Sequence, residues 1–142
     1  MKDSINLNLD KCYLSIDGDN IGSEIEKLLI ESRIDELKKF SSTIEQIIQE
    51  VSKLLTEHGL ELIFSAGDNV LCFGIINSEL IYMLCRKISN RRVTFSVGIG
   101  KTLCDTYIAL KYSKSCGKNR LTVVYNSKIV FSEKIDSIAG DN

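Results

Sequence analysis

The clearest pattern along the chain is an apolar stripe at helical spacing: Ile44, Ile47, Ile48, Val51, Leu54 and Leu55. Residues three and four apart share one helix face, so this set predicts an amphipathic helix. Ser42, with Glu45 three residues on, predicts a capping box at its start. His58-Gly59 predicts its end, because glycine is the usual residue just past a helix C-terminus. His58 is read as a polar residue near that terminus, since no nucleophile or ligand partner lies near it in sequence. Upstream, KCYLSID (11–17) alternates, with Leu14 and Ile16 on one side and Tyr13, Ser15 and Asp17 on the other. This predicts a strand with Asp17 at its C-terminal end on the more polar side. Gly18 follows, then a short helix from about Asn20 to Glu31.

Two apolar runs, LELIFSA (60–66) and VLCFGII (70–76), flank Gly67-Asp68-Asn69. Those three residues are turn formers, so the segment predicts a β-hairpin. Next come a helix over about 78–89 with Ser78 as N-cap, and a strand at VTFSVGI (93–99). Thr102 caps a helix running to about Cys116, with Asp105 at the capping-box position. LTVVY (121–125) predicts a last strand, and the tail after about Glu133 carries no assignable pattern. Proline is absent, and no long Gly/Ser stretch or repeat interrupts the pattern. Residues 1–142 therefore read as a single domain with a core over about 10–132. The order contains a split βαββαβ core: an α+β, ferredoxin-like fold with a mixed or antiparallel sheet and helices on one face. In that arrangement the first strand and the hairpin are neighbours.

Composition narrows the function classes. Apolar residues make up 44% and charged residues 26%, which is globular usage. The net charge of −1 gives no footprint for direct nucleic-acid binding or for an anionic membrane, so any anion site is local. No apolar run approaches the ~18 residues of a membrane span. The N-terminus, MKDSINLNLDK, has no signal-peptide core, and the expected location is cytoplasmic. The five cysteines form no CxxC pair and His58 is the sole histidine, which argues against structural zinc and for buried, reduced thiols.

Two acidic positions stand out. Asp17 ends the first strand and Asp68 occupies the hairpin turn, so adjacent strands bring both carboxylates to one sheet edge, with the Gly18 carbonyl close by. Hard oxygen ligands of this kind suit Mg²⁺ (or Mn²⁺), which is held by one or two carboxylates plus substrate phosphates and water. A pair of such ions can activate a ribose hydroxyl and stabilise departing pyrophosphate. Gly18-Asp19-Asn20-Ile21-Gly22 leads into a helix N-terminus, where backbone N–H groups attract phosphate. An EF-hand is excluded, because Ile21 and Leu28 stand where that loop needs oxygen ligands. Each motif alone is also what an ordinary turn or helix cap looks like; the pair on adjacent elements favours the metal reading. Lys114 and Lys118, four apart near a helix C-terminus, read either as dipole compensation or as a shared basic face.

Three segments, YLSIDGDNIG, IFSAGDNVLCF and FSVGIGKTLCDTYIALKYSKSCGKNRL, resemble the palm domain shared by GGDEF diguanylate cyclases and the polymerase-like large subunit of type III CRISPR complexes. The resemblance is greatest to the minimal CRISPR polymerases (mCpol), and it covers nearly the whole chain in order. It implies a nucleotidyltransferase that condenses NTPs, with ATP favoured, into a cyclic dinucleotide for a separate effector in anti-phage defence. It also implies a head-to-head homodimer, each palm presenting one NTP. Asp17 and Asp68 match the metal-binding acids and Gly18 the carbonyl donor. Asp19, Asn20, Ile21 and Gly22 fall where the family holds the triphosphate. Lys114 and Lys118 match its basic pair at the β- and γ-phosphates. Ala66 and Asn69 depart from the Gly-Gly-Asp/Glu-Asp/Glu pattern, Asn69 standing at a catalytic position usually acidic. The guanine-reading Asn and Asp are replaced by the GSEIEKL segment, which points away from guanine. The departure at Asn69 motivates an alternative: a catalytically weak palm that binds nucleotide as a sensor or interaction module.

Overall fold

The computed structural model describes residues 8–140. The expectation about the N-terminal leader falls largely on residues 1–7, outside the described residues. In chain order the elements are β1 (Asn8–Gly18), α1 (Ile21–Ile30), α2 (Ile34–Glu57), β2 (Glu61–Ala66), β3 (Asn69–Asn77) and α3 (Ser78–Ile88). β4 (Phe95–Gly100), α4 (Leu103–Ser115), β5 (Arg120–Tyr125), β6 (Lys128–Lys134) and α5 (Ile135–Ala139) complete the chain. The strands form one sheet in the order β2-β3-β1-β4-β5-β6. β1 is central and antiparallel to both neighbours, pairing Asp17 with Asn69 on one side and with Ser96 on the other. β4 and β5 run parallel; the other pairings are antiparallel. The expected α+β fold with its split βαββαβ core is present.

Alternation along the strands sorts the two faces. Leu14, Ile16, Val70, Cys72, Val97, Ile99, Leu121 and Val123 join one buried cluster with Ile44, Ile47, Val51 and Leu55 of α2 and Leu80, Leu84 and Ile88 of α3. Ile21 and Leu28 of α1 and Ile135 and Ile138 of α5 extend it. α4 lies on the opposite face, which corrects the expectation of helices on one face. Ser113 Oγ donates to the Val97 carbonyl at 2.9 Å and is hydrogen-bonded to Thr122 Oγ1 at 2.8 Å. A Cβ on Gly98 would stand 2.4 Å from the Leu110 nitrogen, and one on Gly100 2.5 Å from the Thr106 nitrogen. α4 thus packs through small groups (Thr106, Ala109 and Ser113) against glycines, so it shows no wide apolar stripe to announce its face. Its crossover between the parallel strands β4 and β5 therefore takes the opposite hand to the two before it.

Other boundaries moved for local reasons. α2 begins at Ile34, so Ser42 and Glu45 lie inside it and form no cap. The apolar spacing continues upstream through Leu37 and Phe40, and Phe40 is fully buried. His58 and Gly59 end the helix as expected, Gly59 at φ 83°. α3 is capped by Asn77 rather than Ser78, the Asn77 side chain accepting from the Leu80 N–H at 2.9 Å. Thr102 caps α4, its hydroxyl accepting from the Asp105 N–H at 3.0 Å. β6 and α5 are additions in the C-terminal part, β6 reached by a turn in which Asn126 and Ser127 both take positive φ. Cys12, Cys72 and Cys85 are buried, and burial pushes the Cys72 thiol up to about 12. Cys104 and Cys116, at the two ends of α4, are exposed and depart from the expected burial. Among the described residues no helix is long and apolar enough to cross a membrane.

The glycine contacts yield a direct test. Gly98→Ala is expected to lower unfolding free energy by about 3 kcal/mol, since backbone rather than a flexible side chain blocks the added methyl. Gly22→Ala, where a Cβ meets nothing within 4 Å, is expected to raise it by about 0.5–1 kcal/mol. Urea unfolding of the two variants reads both, and an unchanged Gly98→Ala midpoint would contradict the packing described.

Candidate active site

The C-terminal end of β1, the β2–β3 turn, the start of α1 and the end of α4 meet at one edge of the sheet. β1 delivers Asp17 and Gly18 there by pairing on both sides, so their backbone positions are held by two ladders. The hairpin delivers Asp68 through a two-residue turn in which Gly67 takes φ 59°. The Gly18 N–H donates to the Asp68 carbonyl at 3.2 Å, tying turn to strand. A Cβ on Gly18 would lie 2.8 Å from Asp68 Oδ2 and 2.5 Å from Ile21 Cγ1, so a larger residue there would require the Asp68 and Ile21 side chains to shift. Burial, and then the charge of nearby Asp17, raise the Asp68 pKa above the ordinary carboxylate value, with Lys114 partly offsetting them. The two expected acids therefore interact across the site. Asn69 Nδ2 points at Asp68 Oδ1 at 3.4 Å, a donor where a third acid would add charge.

Asp19 has a different place from the one expected. Its side chain is fully buried. Oδ1 accepts from Ser96 Oγ at 2.7 Å and Lys114 Nζ at 2.8 Å; Oδ2 accepts from Thr94 Oγ1 at 2.7 Å and the Asn119 N–H at 3.0 Å. Its own N–H is bonded to the Thr94 carbonyl at 2.9 Å. Asp19 has no donor to offer a phosphate; it is an anchor inside the site. Burial works to raise its pKa, but the bonds from Lys114, Ser96, Thr94 and Asn119 outweigh it, and the net shift is downward. The sequence analysis missed Thr94, Ser96 and Asn119. The available signal was a pair of hydroxyls, Thr94 and Ser96, in an otherwise apolar strand.

Asn20 is the N-cap of α1 in the left-handed region at φ 59°, which asparagine tolerates. Its side-chain oxygen accepts from Lys118 Nζ. Ile21 is buried, and Gly22 lies in open space at the first turn of α1, whose leading N–H groups have no intrahelical partner. Lys114, in the last turn of α4, reaches the Gly18 carbonyl at 2.8 Å and Asp17 Oδ2 at 3.1 Å. The structure thus gathers Asp17, Gly18, Asp68, Asn69, Asn20, Ile21, Gly22, Lys114 and Lys118 at one edge. Beside Gly67 and Asp68 opens a cavity of about 400 Å³, walled by Ile21, Ile25, Phe40 and Ile44 and bearing Ser41 and Glu45 as polar groups.

The donor set fits a hard divalent cation: two carboxylates and a carbonyl, all oxygen. Among the described residues no group of three or more His, Cys, Asp or Glu is arranged around a metal. Remaining ligands would have to come from phosphates and water, which is the habit of Mg²⁺ rather than of Ca²⁺ or zinc.

Solved structures share this architecture. A diguanylate cyclase/phosphodiesterase from Caldicellulosiruptor saccharolyticus is 16% identical, with a TM-score of 0.59, covering 85% of this chain and 80% of that one. A Csm1–Csm4 cassette in complex with one ATP is 19% identical, with a TM-score of 0.60 over 89% of this chain and 23% of that one. A Csm1–Csm4 cassette in complex with cA4 is 17% identical, with a TM-score of 0.64 over 98% of this chain and 25% of that one. No protein of curated function matches the chain. Fold and edge site define a palm domain of the nucleotide cyclase and polymerase-like type. Residues 13–124 match the minimal CRISPR polymerase domain, and the chain belongs to that family, mCpol.

The two inward carboxylates act on stability with opposite sign. Asp19 has its pKa lowered in the fold, so its contribution is present above the unfolded value of about 3.9 and lost as pH falls through the folded value. Asp68 has its pKa raised, so protonation favours the fold, and that contribution is lost as pH rises through the folded value. At pH 7, Asp68→Asn is therefore expected to raise the thermal midpoint, and Asp19→Asn to lower stability by about 2 kcal/mol. Calorimetry that ranked the two variants in the reverse order would contradict this electrostatic account.

Proposed function

We propose that this chain is a divalent-cation-dependent nucleotidyltransferase that joins two NTPs, ATP by preference, into a cyclic dinucleotide. The observation that carries this reading is the meeting of Asp17, Asp68 and the Gly18 carbonyl at one sheet edge, flanked by a helix N-terminus and two lysines. In each transfer a ribose hydroxyl oxygen attacks the α-phosphorus of the other nucleotide. The new P–O bond forms as the bond to the pyrophosphate oxygen breaks, and the hydroxyl proton leaves to solvent. Mg²⁺ or Mn²⁺, when bound, supplies charge to activate that hydroxyl and steady the leaving group. Asp17, Asp68 and the Gly18 carbonyl would hold it. The first turn of α1, at Asn20, Ile21 and Gly22, presents N–H groups to the phosphates, with Lys118 beside them. The cavity next to Asp68 suits a base: its apolar walls take a flat ring, and the Glu45 carboxylate, an acceptor only, suits an exocyclic amine. Adenine and guanine both offer such an amine; the absence of the guanine-reading Asn and Asp favours ATP, and the ATP held by the Csm1–Csm4 cassette is consistent with it.

Because one palm presents one NTP, closing a ring calls for two chains with their edges facing. The proposed active form is a homodimer, and the product is a messenger read by a separate effector, with anti-phage defence in the cytoplasm as the setting. A second reading rests on Asn69, which places an amide beside Asp68 where an acid would strengthen a second cation site. On that reading the palm holds nucleotide as a sensor without turnover.

Incubation with ATP and Mg²⁺ or Mn²⁺, followed by HPLC and mass spectrometry, separates the two. Wild type is expected to release pyrophosphate and form a cyclic dinucleotide, and Asp17→Ala and Asp68→Ala to lose turnover while staying folded. Product formation unchanged in both variants would remove the mechanism, and nucleotide binding with no pyrophosphate release would favour the sensor.

A further inference from the structure

We propose that Lys114 is the resident counter-cation of the acidic edge: its ammonium occupies the divalent position until a triphosphate draws it away. The inference rests on the metal-dependent reading above and concerns the order in which the site fills. Lys114 Nζ lies 2.8 Å from the Gly18 carbonyl, 3.1 Å from Asp17 Oδ2 and 2.8 Å from Asp19 Oδ1, with the Asp17 carbonyl at 3.5 Å. An ammonium has three N–H donors and no acceptor. Three close acceptors use all of them, so none is left for a phosphate. Two of the three, the Gly18 carbonyl and Asp17 Oδ2, belong to the donor set a divalent cation would need. A metal bound through the same lone pairs would put two like-signed centres a few ångströms apart, in a part-buried setting where such repulsion is poorly screened. Lysine and divalent cation therefore exclude each other at these two oxygens.

The third acceptor decides where the ammonium can go. Asp19 is fixed by Thr94, Ser96 and the Asn119 N–H independently of Lys114. It is a positioning residue and forms a pivot: Nζ can release Asp17 and Gly18, keep Asp19, and turn toward the α1 N-terminus where Lys118 already meets Asn20. An incoming triphosphate supplies the negative charge that makes this turn favourable. The oxygens it frees then accept the divalent cation that accompanies the nucleotide. Divalent cation and nucleotide thus bind with positive coupling, each raising the affinity of the other by the same factor.

The test reads metal binding rather than turnover. Mn²⁺ uptake by the full chain is measured as protein-bound Mn²⁺ by equilibrium dialysis, with and without ATP at equal concentration on both sides, so that Mn²⁺ held by free ATP cancels. Wild type is expected to bind Mn²⁺ weakly alone and about tenfold or more tightly with ATP. Lys114→Met is expected to bind Mn²⁺ alone at least about tenfold more tightly than wild type and to gain little further on adding ATP. Lys114→Gln, which keeps a donor but not the charge, is expected to follow Lys114→Met and covers the case in which that variant fails to fold. Lys114→Arg, which keeps the charge, is expected to exclude Mn²⁺ as wild type does. Equal Mn²⁺ affinity in wild type and both neutral variants overturns the proposal and leaves the enzymatic reading, tested by Asp17 and Asp68 turnover, standing. Failure of wild type to take up Mn²⁺ even with ATP overturns both.

Discussion

The structure depends on an ionised carboxylate, Asp19, held where water does not reach. A buried charge is tolerated only when its lone pairs are filled, and Asp19 fills four positions with groups from three separate segments. Thr94 and Ser96 come from β4 and the residue before it, Lys114 from the end of α4, Asn119 from the turn into β5, and the carboxylate itself from the end of β1. One side chain thereby sets the distance between the central strand and the helix on the far face. Everything at the edge is referred to it: Lys114 reaches Asp17 and Gly18 because Asp19 holds it there, and the turn carrying Lys118 is drawn in through the Asn119 N–H.

Much of this was legible in the chain itself. The β1 alternation put Leu14 and Ile16 inward and Asp17 at the strand end, and the hairpin brackets around Gly67-Asp68 were clear. Adjacency of those elements, and so of the two acids, followed from the split βαββαβ order. What stayed hidden had physical causes. α4 packs by close approach of Thr106, Ala109 and Ser113 onto Gly98 and Gly100, a contact made of small residues that leaves no hydrophobic signature to show which face it covers. α2 begins a full two turns before the serine that looked like its cap, because burial of Phe40 extends the apolar stripe upstream. Asp19 sits one residue past Gly18 in a loop-like string, and nothing in that string says that its carboxylate turns inward while its neighbours stay at the rim.

Stability and chemistry pull apart at Asp68. Burial and the neighbouring acid disfavour its charged form, so the fold carries a strain that a cation would relieve. Lys114 relieves part of it, through the same ammonium that engages the Gly18 carbonyl and Asp17 Oδ2. On the proposed function, a site that accepts and releases several phosphate charges would gain from such an internal substitute, because the acids would not be left wholly uncompensated. The glycine at position 18 belongs to the same economy of space: a side chain there would displace the Asp68 and Ile21 side chains from their present positions.

The positions of the charged groups along the polymer have a bearing on how a newly made chain matures. Asp17 and Asp68 can meet as soon as β1 pairs with β3, both of which precede α4 along the polymer. Lys114 and the Asn119 amide arrive only with α4 and the turn after it, so a growing chain passes through a stage with clustered acids and no partner for them. Docking of α4 is then the event that neutralises the nascent sheet edge, and it, rather than formation of the hairpin, completes the site.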